Sequence, residues 1–251
     1  MSELVHYGVE RGIARIELDS PHNRNALSAQ LAAELTAHLA TAATGPEVRA
    51  VQLTHTGSVF CAGADLTEAT TQQQGTERMM ALLRALVELP KPVVITVNGH
   101  VRAGGLGLVG AADIVLAGPA CTFGFTEVRI GVAPAIIALT TAGRMTERAL
   151  SRYFLTGETF DSATAAAVGL VTEAVPDVAV AAQSLFAALR LCSPQALAAI
   201  KPITTAVRRA AFDADNGAMA ALSARLFDTD EAREGVTAFL QKRPASWVVQ
   251  Q

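Results

Sequence analysis

Two stretches of backbone free of bulky side chains stand out: Phe60-Cys61-Ala62-Gly63-Ala64-Asp65-Leu66 and, farther along, Arg102-Ala103-Gly104-Gly105-Leu106-Gly107. Segments of this kind can bring main-chain N–H groups up against a ligand oxygen. Backbone amides are fixed donors that need no reorganisation as negative charge develops, so a converging pair suits an enolate or another oxyanion. The second segment follows a strand-like run, Val93-Val94-Ile95-Thr96-Val97, through Asn98-Gly99. Gly104 falls where a short helix begins, and the first amides of a helix are unpaired and aligned with its dipole.

Gly105-Leu106-Gly107-Leu108-Val109-Gly110 also matches the letters of a dinucleotide-binding loop. In that loop the first glycine follows a strand at once and a full helix follows the last. Here the glycines trail the strand, and Asp113-Ile114-Val115 resumes β character too soon for a crossover helix of usual length. A nucleotide fold is therefore set aside. Close helix packing is the simpler account of Gly105, Gly107 and Gly110, at a cost of about 1 kcal/mol each in helix propensity.

The elements that must position these segments divide the chain in two. Leu4 to Val9 and Ile13 to Leu18 read as a hairpin around Glu10-Arg11-Gly12. Ser28 can cap a helix carrying Leu31, Leu35 and Leu39 on one stripe. Ala50 to Thr54 and Asp113 to Ala117 read as strands. Thr70 to Thr76 reads as a mobile loop or a frayed helix start, leading into a helix over Gln72 to Leu89. Met79, Leu82, Leu83 and Leu86 form its apolar stripe, and Pro90-Lys91-Pro92 stops it. After Gly131 the pattern is mainly helical: Ala135 to Ala142, Glu147 to Phe154, Ser162 to Val168, Val178 to Leu191, Gln195 to Arg209 and Ala218 to Leu240. Gly169 to Thr172 interrupts with β character. The expectation is an α/β first half and a largely α second half, with no repeat at a fixed period.

At 251 residues the chain fits one large domain with a helical extension. A net charge of −3 without a Lys/Arg cluster argues against nucleic acid as a partner. Cys61, Cys121 and Cys192 are odd in number and scattered, which points away from disulfides and from metal ligation. No apolar run reaches the ~18 residues of a membrane span. The first residues carry neither a basic nor an apolar targeting segment, so the expected compartment is the cytoplasm.

Taken in order, the motifs resemble the crotonase, or enoyl-CoA hydratase/isomerase, superfamily. The likeness runs from Arg24-Asn25-Ala26-Leu27-Ser28 through Phe60 to Leu66, Lys91-Pro92 to Asn98-Gly99, Gly104-Gly105, and Phe123-Gly124-Phe125-Thr126-Glu127 with Gly131. It continues through Leu155-Thr156-Gly157 and Ala167-Val168-Gly169-Leu170-Val171 to the tail from Glu234 to Arg243. The resemblance implies an α/β fold, a crotonase-like spiral of ββα units over 1–190. A C-terminal helical trimerisation region over 191–251 would follow it, assembled as a homotrimer or a dimer of trimers. It implies an acyl-CoA thioester as substrate, the CoA being part of that substrate, and no separate cofactor. By position, the amides of Ala64 and Gly104 would be the two oxyanion donors. Arg24, Ala26, Ala62, Ala64, Asp65, Leu66 and Gly104 match positions that contact CoA. Phe239 and Lys242 match tail residues that often reach a CoA bound in a neighbouring subunit; a solvated cation is an equal reading of Lys242.

Hydratases of this family typically hold two glutamates above the acyl chain. Glu127 matches one of them, while the other position is Gly107. Glu127 sits among Phe123, Phe125, Val128 and Ile130, an apolar setting that would raise its pKa. The alternative is a structural carboxylate paired with Arg129 or a nearby N–H. One carboxylate suffices for a 1,3-proton shift, so Δ3,Δ2-enoyl-CoA isomerisation stands beside water addition to an enoyl-CoA, which the resemblance slightly favours. A non-catalytic acyl-CoA binder is the third reading. His100 and Arg102 occupy positions where small or apolar residues are usual. Either Arg102 or His100 faces the acyl pocket, to pair with a distal carboxylate or help position water, or Arg102 points outward to an acidic partner and His100 is a satisfied polar residue. The run Ala135-Ile136-Ile137-Ala138 replaces a glycine-rich turn and is expected to narrow the acyl channel.

Overall fold

Arg11 and Gly12 both take positive φ (48° and 80°), the left-handed pair that closes a tight hairpin. They join β1 (Val5–Glu10) antiparallel to β2 (Ile13–Leu18), as expected. The computed structural model describes residues 2–68 and 72–249. Ser28 caps α1 (Ala29–Thr44), its Oγ accepting from Leu31 N at 3.2 Å, and Leu31, Leu35 and Leu39 are buried on one stripe. Then come β3 (Ala50–His55), β4 (Val59–Cys61), α2 (Gln72–Glu88), β5 (Val93–Val97), β6 (His100–Arg102), α3 (Gly104–Ala111), β7 (Ile114–Ala117) and β8 (Thr122–Gly124). The first residues of the loop expected at Thr70 to Thr76, through Thr71, lie outside the described residues; from Gln72 the segment is helical.

Among the described residues the strands form two sheets. The larger runs β1-β2-β3-β5-β7 and ends on a short β10 (Glu173–Ala174); from β2 onward its neighbours are parallel. The smaller has β4, β6 and β8 in parallel order, closed by β9 (Phe160–Asp161) antiparallel to β8. Each turn of the chain therefore lays one strand in the large sheet and one in the small, then a helix: β3-β4-α2, then β5-β6-α3, then β7-β8. This is the crotonase-like spiral of ββα units. Fully buried strand residues such as Val93, Ile95 and Val97, with Phe60, Phe123 and Leu83, form the shared core.

The helical half comprises α4 (Ala135–Thr141), α5 (Glu147–Thr156), α6 (Ser162–Ala167), α7 (Val178–Arg190), α8 (Pro194–Thr204), α9 (Ala206–Phe227) and α10 (Asp230–Leu240). Its breaks differ from the expected ones. Helix runs unbroken across the expected gap between Arg209 and Ala218. It stops instead at Thr205, just past Pro202, and again at Asp228-Thr229, where the Thr229 side chain accepts from Ala232 N and starts a new helix. The β character expected at Gly169 to Thr172 is a turn, with pairing only at Glu173-Ala174. Among the described residues no helix is long and apolar enough to cross a membrane.

A buried charge cluster fastens the C-terminal helices to this frame. Lys201 on α8 is 3% exposed and bonds Asp113 Oδ2 at the start of β7. Asp113 Oδ2 also accepts from Val93 N at 2.8 Å, and Arg208 on α9 lies 3.8 Å from its Oδ1. Removing the one acid would leave two buried cations uncompensated. Asp113→Asn is expected to cost about 3–5 kcal/mol of stability, measured by urea unfolding, with part of the loss recovered in the double variant Asp113→Asn/Lys201→Met.

Candidate active site

Three adjacent parallel strands of the small sheet, β4, β6 and β8, end at the same edge. Their register, Cys61 beside Val101 and Arg102 beside Gly124, fixes what emerges there. From β4 the chain passes into Ala62-Gly63-Ala64, from β6 into Ala103-Gly104, and from β8 into Phe125-Thr126-Glu127. Ligand sites in parallel sheets lie beyond the carboxyl ends of strands because loops from neighbouring strands meet there. Ala64, Gly104 and Glu127 all line one cavity of about 860 Å³.

The two amides come together by close approach of backbone. Gly63 has φ +92°, and a Cβ there would lie 2.8 Å from Ala103 Cβ and 3.0 Å from Gly104 N. A Cβ at Gly104 would lie 3.6 Å from Ala64 N and 2.6 Å from Met79 Cε. Neither loop could come this near its neighbour with ordinary side chains. Leu27 N donates to Gly63 O at 2.7 Å and Ala62 N to Arg24 O at 3.1 Å, so the 24–27 loop holds the first segment. Ala103 N donates to Gly124 O at 3.1 Å and holds the second. Ala103 itself takes φ 46°, ψ −123°, a strained conformation for a residue with a Cβ. Gly104 opens α3, so its N–H has no partner within the helix, and among the described residues neither it nor Ala64 N donates elsewhere.

Glu127 lies in a short 3-10 turn, Thr126–Ile130, closed by Gly131 in the left-handed region. The residue as a whole is half-buried, but its Oε2 is out of contact with solvent and has no hydrogen-bond partner. Desolvation pushes its pKa up to about 7, against a smaller opposing contribution from its own backbone amide. The expected alternative, pairing with Arg129, is absent. At the other expected position, a Cβ at Gly107 would lie 2.7 Å from Ile137 Cγ2 and 3.1 Å from Leu83 Cδ1. Ile137 on α4 therefore fills the space a side chain at Gly107 would need.

The sequence pattern of the enoyl-CoA hydratase/isomerase family matches residues 8–250. The chain is 31% identical over 252 residues to the 2,3-dehydroadipyl-CoA hydratase of Escherichia coli, covering 97% of each. It superposes with TM-score 0.93 on the crystal structure of an enoyl-CoA hydratase from Mycobacterium avium, 48% identical, covering 99% of this chain and all of that one. The fold is also shared with methylmalonyl-CoA decarboxylase, at TM-score 0.87 and 23% identity. The chain belongs to the enoyl-CoA hydratase/isomerase family.

The positions that the family resemblance singled out fall mostly on this one cavity. Arg24, Ala26, Ala62, Asp65 and Leu66 line it on the β4 side. Burial opposes the charged form of Asp65, but bonds from Thr67 (2.6 and 3.0 Å) and Asn23 (3.1 Å) outweigh it and hold its pKa below the usual value. Phe239 on α10 reaches the cavity of its own chain. Lys242 does not: it is exposed past the end of α10, with φ 54°. The acid-paired reading of Arg102 is overturned. Its guanidinium bonds Thr122 O (2.7 Å), Thr122 Oγ1 (2.8 Å) and Val101 O (2.9 Å), and the residue lines the cavity together with His100. Met79, Ser223 and Phe227 line it too. Sequence reasoning missed their role, since their only signal was a place on the apolar side of a helix.

The Gly107–Ile137 contact makes a direct test. Gly107→Ala is expected to destabilise by about 1–3 kcal/mol through overpacking. Ile137→Ala in the same chain should recover much of that loss, a favourable coupling readable in a double-mutant unfolding cycle.

Proposed function

We propose that the protein adds water across the double bond of an enoyl-CoA thioester. The observation that carries this is a desolvated carboxyl, its Oε2 without a partner, lining the same cavity as two residues with unpaired backbone amides. In this reading the thioester oxygen accepts from Ala64 N–H and Gly104 N–H. Glu127 as carboxylate takes a proton from water while the water oxygen bonds to the β-carbon. The electrons of the double bond move to the thioester oxygen as an enolate, which the two amides stabilise. Glu127 then returns the proton to the α-carbon. Removing one such donor typically costs about 2.7–4 kcal/mol of transition-state stabilisation. The hydratase names of the similar proteins support water addition, and Arg24 beside Ala62 to Leu66 supports a CoA at that end of the cavity.

A second reading rests on Gly107. With Ile137 in place of a second carboxylate, Glu127 could carry a proton from the α- to the γ-carbon and so isomerise a 3-enoyl-CoA. The reading extends to a homotrimer or a dimer of trimers, supported by apolar side chains that the single chain leaves on its helices: Leu191 is 90% exposed and Ile203 75%.

Crotonyl-CoA and a 3-enoyl-CoA, followed by loss or gain of α,β-conjugation, separate the two reactions: loss with the first is expected. Glu127→Gln should lower kcat by roughly 10²–10⁴ with CoA affinity nearly constant; an unaffected rate would defeat the mechanism. Because the base must be ionised, kcat/KM should rise with pH through about 7. Stability carries the opposite sign. The raised pKa means the native state holds this proton more tightly than the unfolded chain, so ionisation above about pH 7 costs the fold about 3 kcal/mol. Glu127→Gln should therefore be more stable than the parent at pH above 7. That gain should shrink as pH falls and vanish below the ordinary value of 4.5.

A further inference from the structure

Arg102 is the last residue of β6, directly before Ala103-Gly104. Its side chain crosses to β8, away from β4 and the Arg24 side of the cavity, and folds back along that strand to Thr122, level with His100. It is half-buried, and every bond it makes is to a neutral oxygen: both Nη1 hydrogens go to the carbonyls of Val101 and Thr122, and one Nη2 hydrogen to Thr122 Oγ1. Nε–H and the second Nη2 hydrogen are left over. Together they form one edge of the guanidinium, the fork that grips a carboxylate by two parallel bonds.

Arg129, from the turn that carries Glu127, lines the same wall. It packs against Gly157, where a Cβ would lie 3.1 Å from its Nε. Among the described residues neither arginine lies within 4.0 Å of a carboxylate oxygen, and Glu127 Oε2 is bonded to neither. Burial, with the Arg129 charge nearby, lowers the pKa of Arg102. Arg102 is thus the half-buried cation of this wall, while Arg129 beside it is exposed and its charge also reaches Glu158. A half-buried guanidinium whose bonded partners are all neutral is a match for an anion.

We propose that the acyl half of the cavity takes a thioester whose acyl chain bears a second, distal carboxylate, gripped by the free edge of Arg102 with Arg129 beside it. The proposal rests on the cavity being a CoA-thioester site. It makes Arg102 a specificity-determining residue. His100, bonded through Nδ1 to Thr122 Oγ1 at 3.0 Å, braces the hydroxyl that holds that guanidinium in place.

Saturated thioesters test this without turnover. Dissociation constants for succinyl-, glutaryl- and adipyl-CoA are compared by calorimetry with those of butyryl-, pentanoyl- and hexanoyl-CoA. At least one carboxylated ligand should bind tenfold or more tightly than its neutral counterpart in the parent protein. Arg102→Met should bring that ratio close to one, and Arg102→Lys should retain part of it. Binding of CoA itself reports that each variant is folded. A purely structural clasp between β6 and β8 would weaken both series alike and leave the ratio unmoved. No preference at any length in the parent protein, or a preference that survives Arg102→Met, overturns the proposal. Hydration is read separately: turnover of crotonyl-CoA without a carboxylate preference sinks this inference alone. A carboxylate preference without hydration of any enoyl-CoA sinks the hydratase reading alone.

Discussion

The close approach of two backbone segments at the ends of β4 and β6 is the constraint on which the site depends. Adjacent parallel strands bring the loops that follow them to one edge, and there the side chains must be small enough for main chain to meet main chain. Gly63 supplies the positive φ and the missing Cβ that admit Ala103 and Gly104 N to within about one contact distance. The neighbouring loop at Arg24 to Leu27 contributes no reactive group of its own to this edge; its carbonyl and amide anchor Ala62 and Gly63. Ala103 keeps a strained φ while its amide is tied to Gly124. Strain of this kind, of order 1–3 kcal/mol, persists only where surrounding bonds overdetermine it. Here it leaves the next amide unpaired, on a residue that lines the cavity.

The same sheet explains why one carboxyl can serve as a poised base. Glu127 leaves β8 into a turn packed by Phe125 and Phe154, whose ring centroids are 4.6 Å apart. The apolar setting raises its proton affinity, and no cation lies close enough to reverse that. Ile137 completes the wall by occupying the space at Gly107. A buried group with pKa near the working pH can take up and release a proton with little penalty in either direction. The proposed chemistry therefore follows from desolvation on one side and fixed dipoles on the other.

Much of this was legible in the sequence, and unevenly. The hairpin, the Ser28 cap, the stripe of α1 and the strand at Val93 to Val97 were readable because periodicity and capping are local signals. The small sheet was not. β4, β6 and β8 are three residues each, too short for alternation to register, although they position the entire site. The ββα repeat was invisible to periodicity for the same reason, its units sharing a geometry and not a fixed length, and only the family resemblance implied it. Gly105, Gly107 and Gly110 are packing glycines, while Gly104 has the free amide, so both readings of that run hold at different positions. The break expected after Arg209 moved to Thr205 and Asp228 because a proline and a capping threonine outweigh apolar periodicity. Lys242, matched to a CoA in a neighbouring subunit, does not line the cavity of its own chain, and Arg102 bonds neutral oxygens of β6 and β8 in place of an acid. Neither side-chain direction is encoded in spacing.

The central claim is that two main-chain hydrogens polarise a thioester carbonyl. Infrared difference spectroscopy of butyryl-CoA, labelled with carbon-13 at the carbonyl and bound to the parent protein, reads that bond alone. Capture between the amides of Ala64 and Gly104 predicts a carbonyl stretch moved clearly to lower wavenumber than in water. A bound ligand whose stretch is unmoved, or moved upward as in an apolar pocket, would contradict the account.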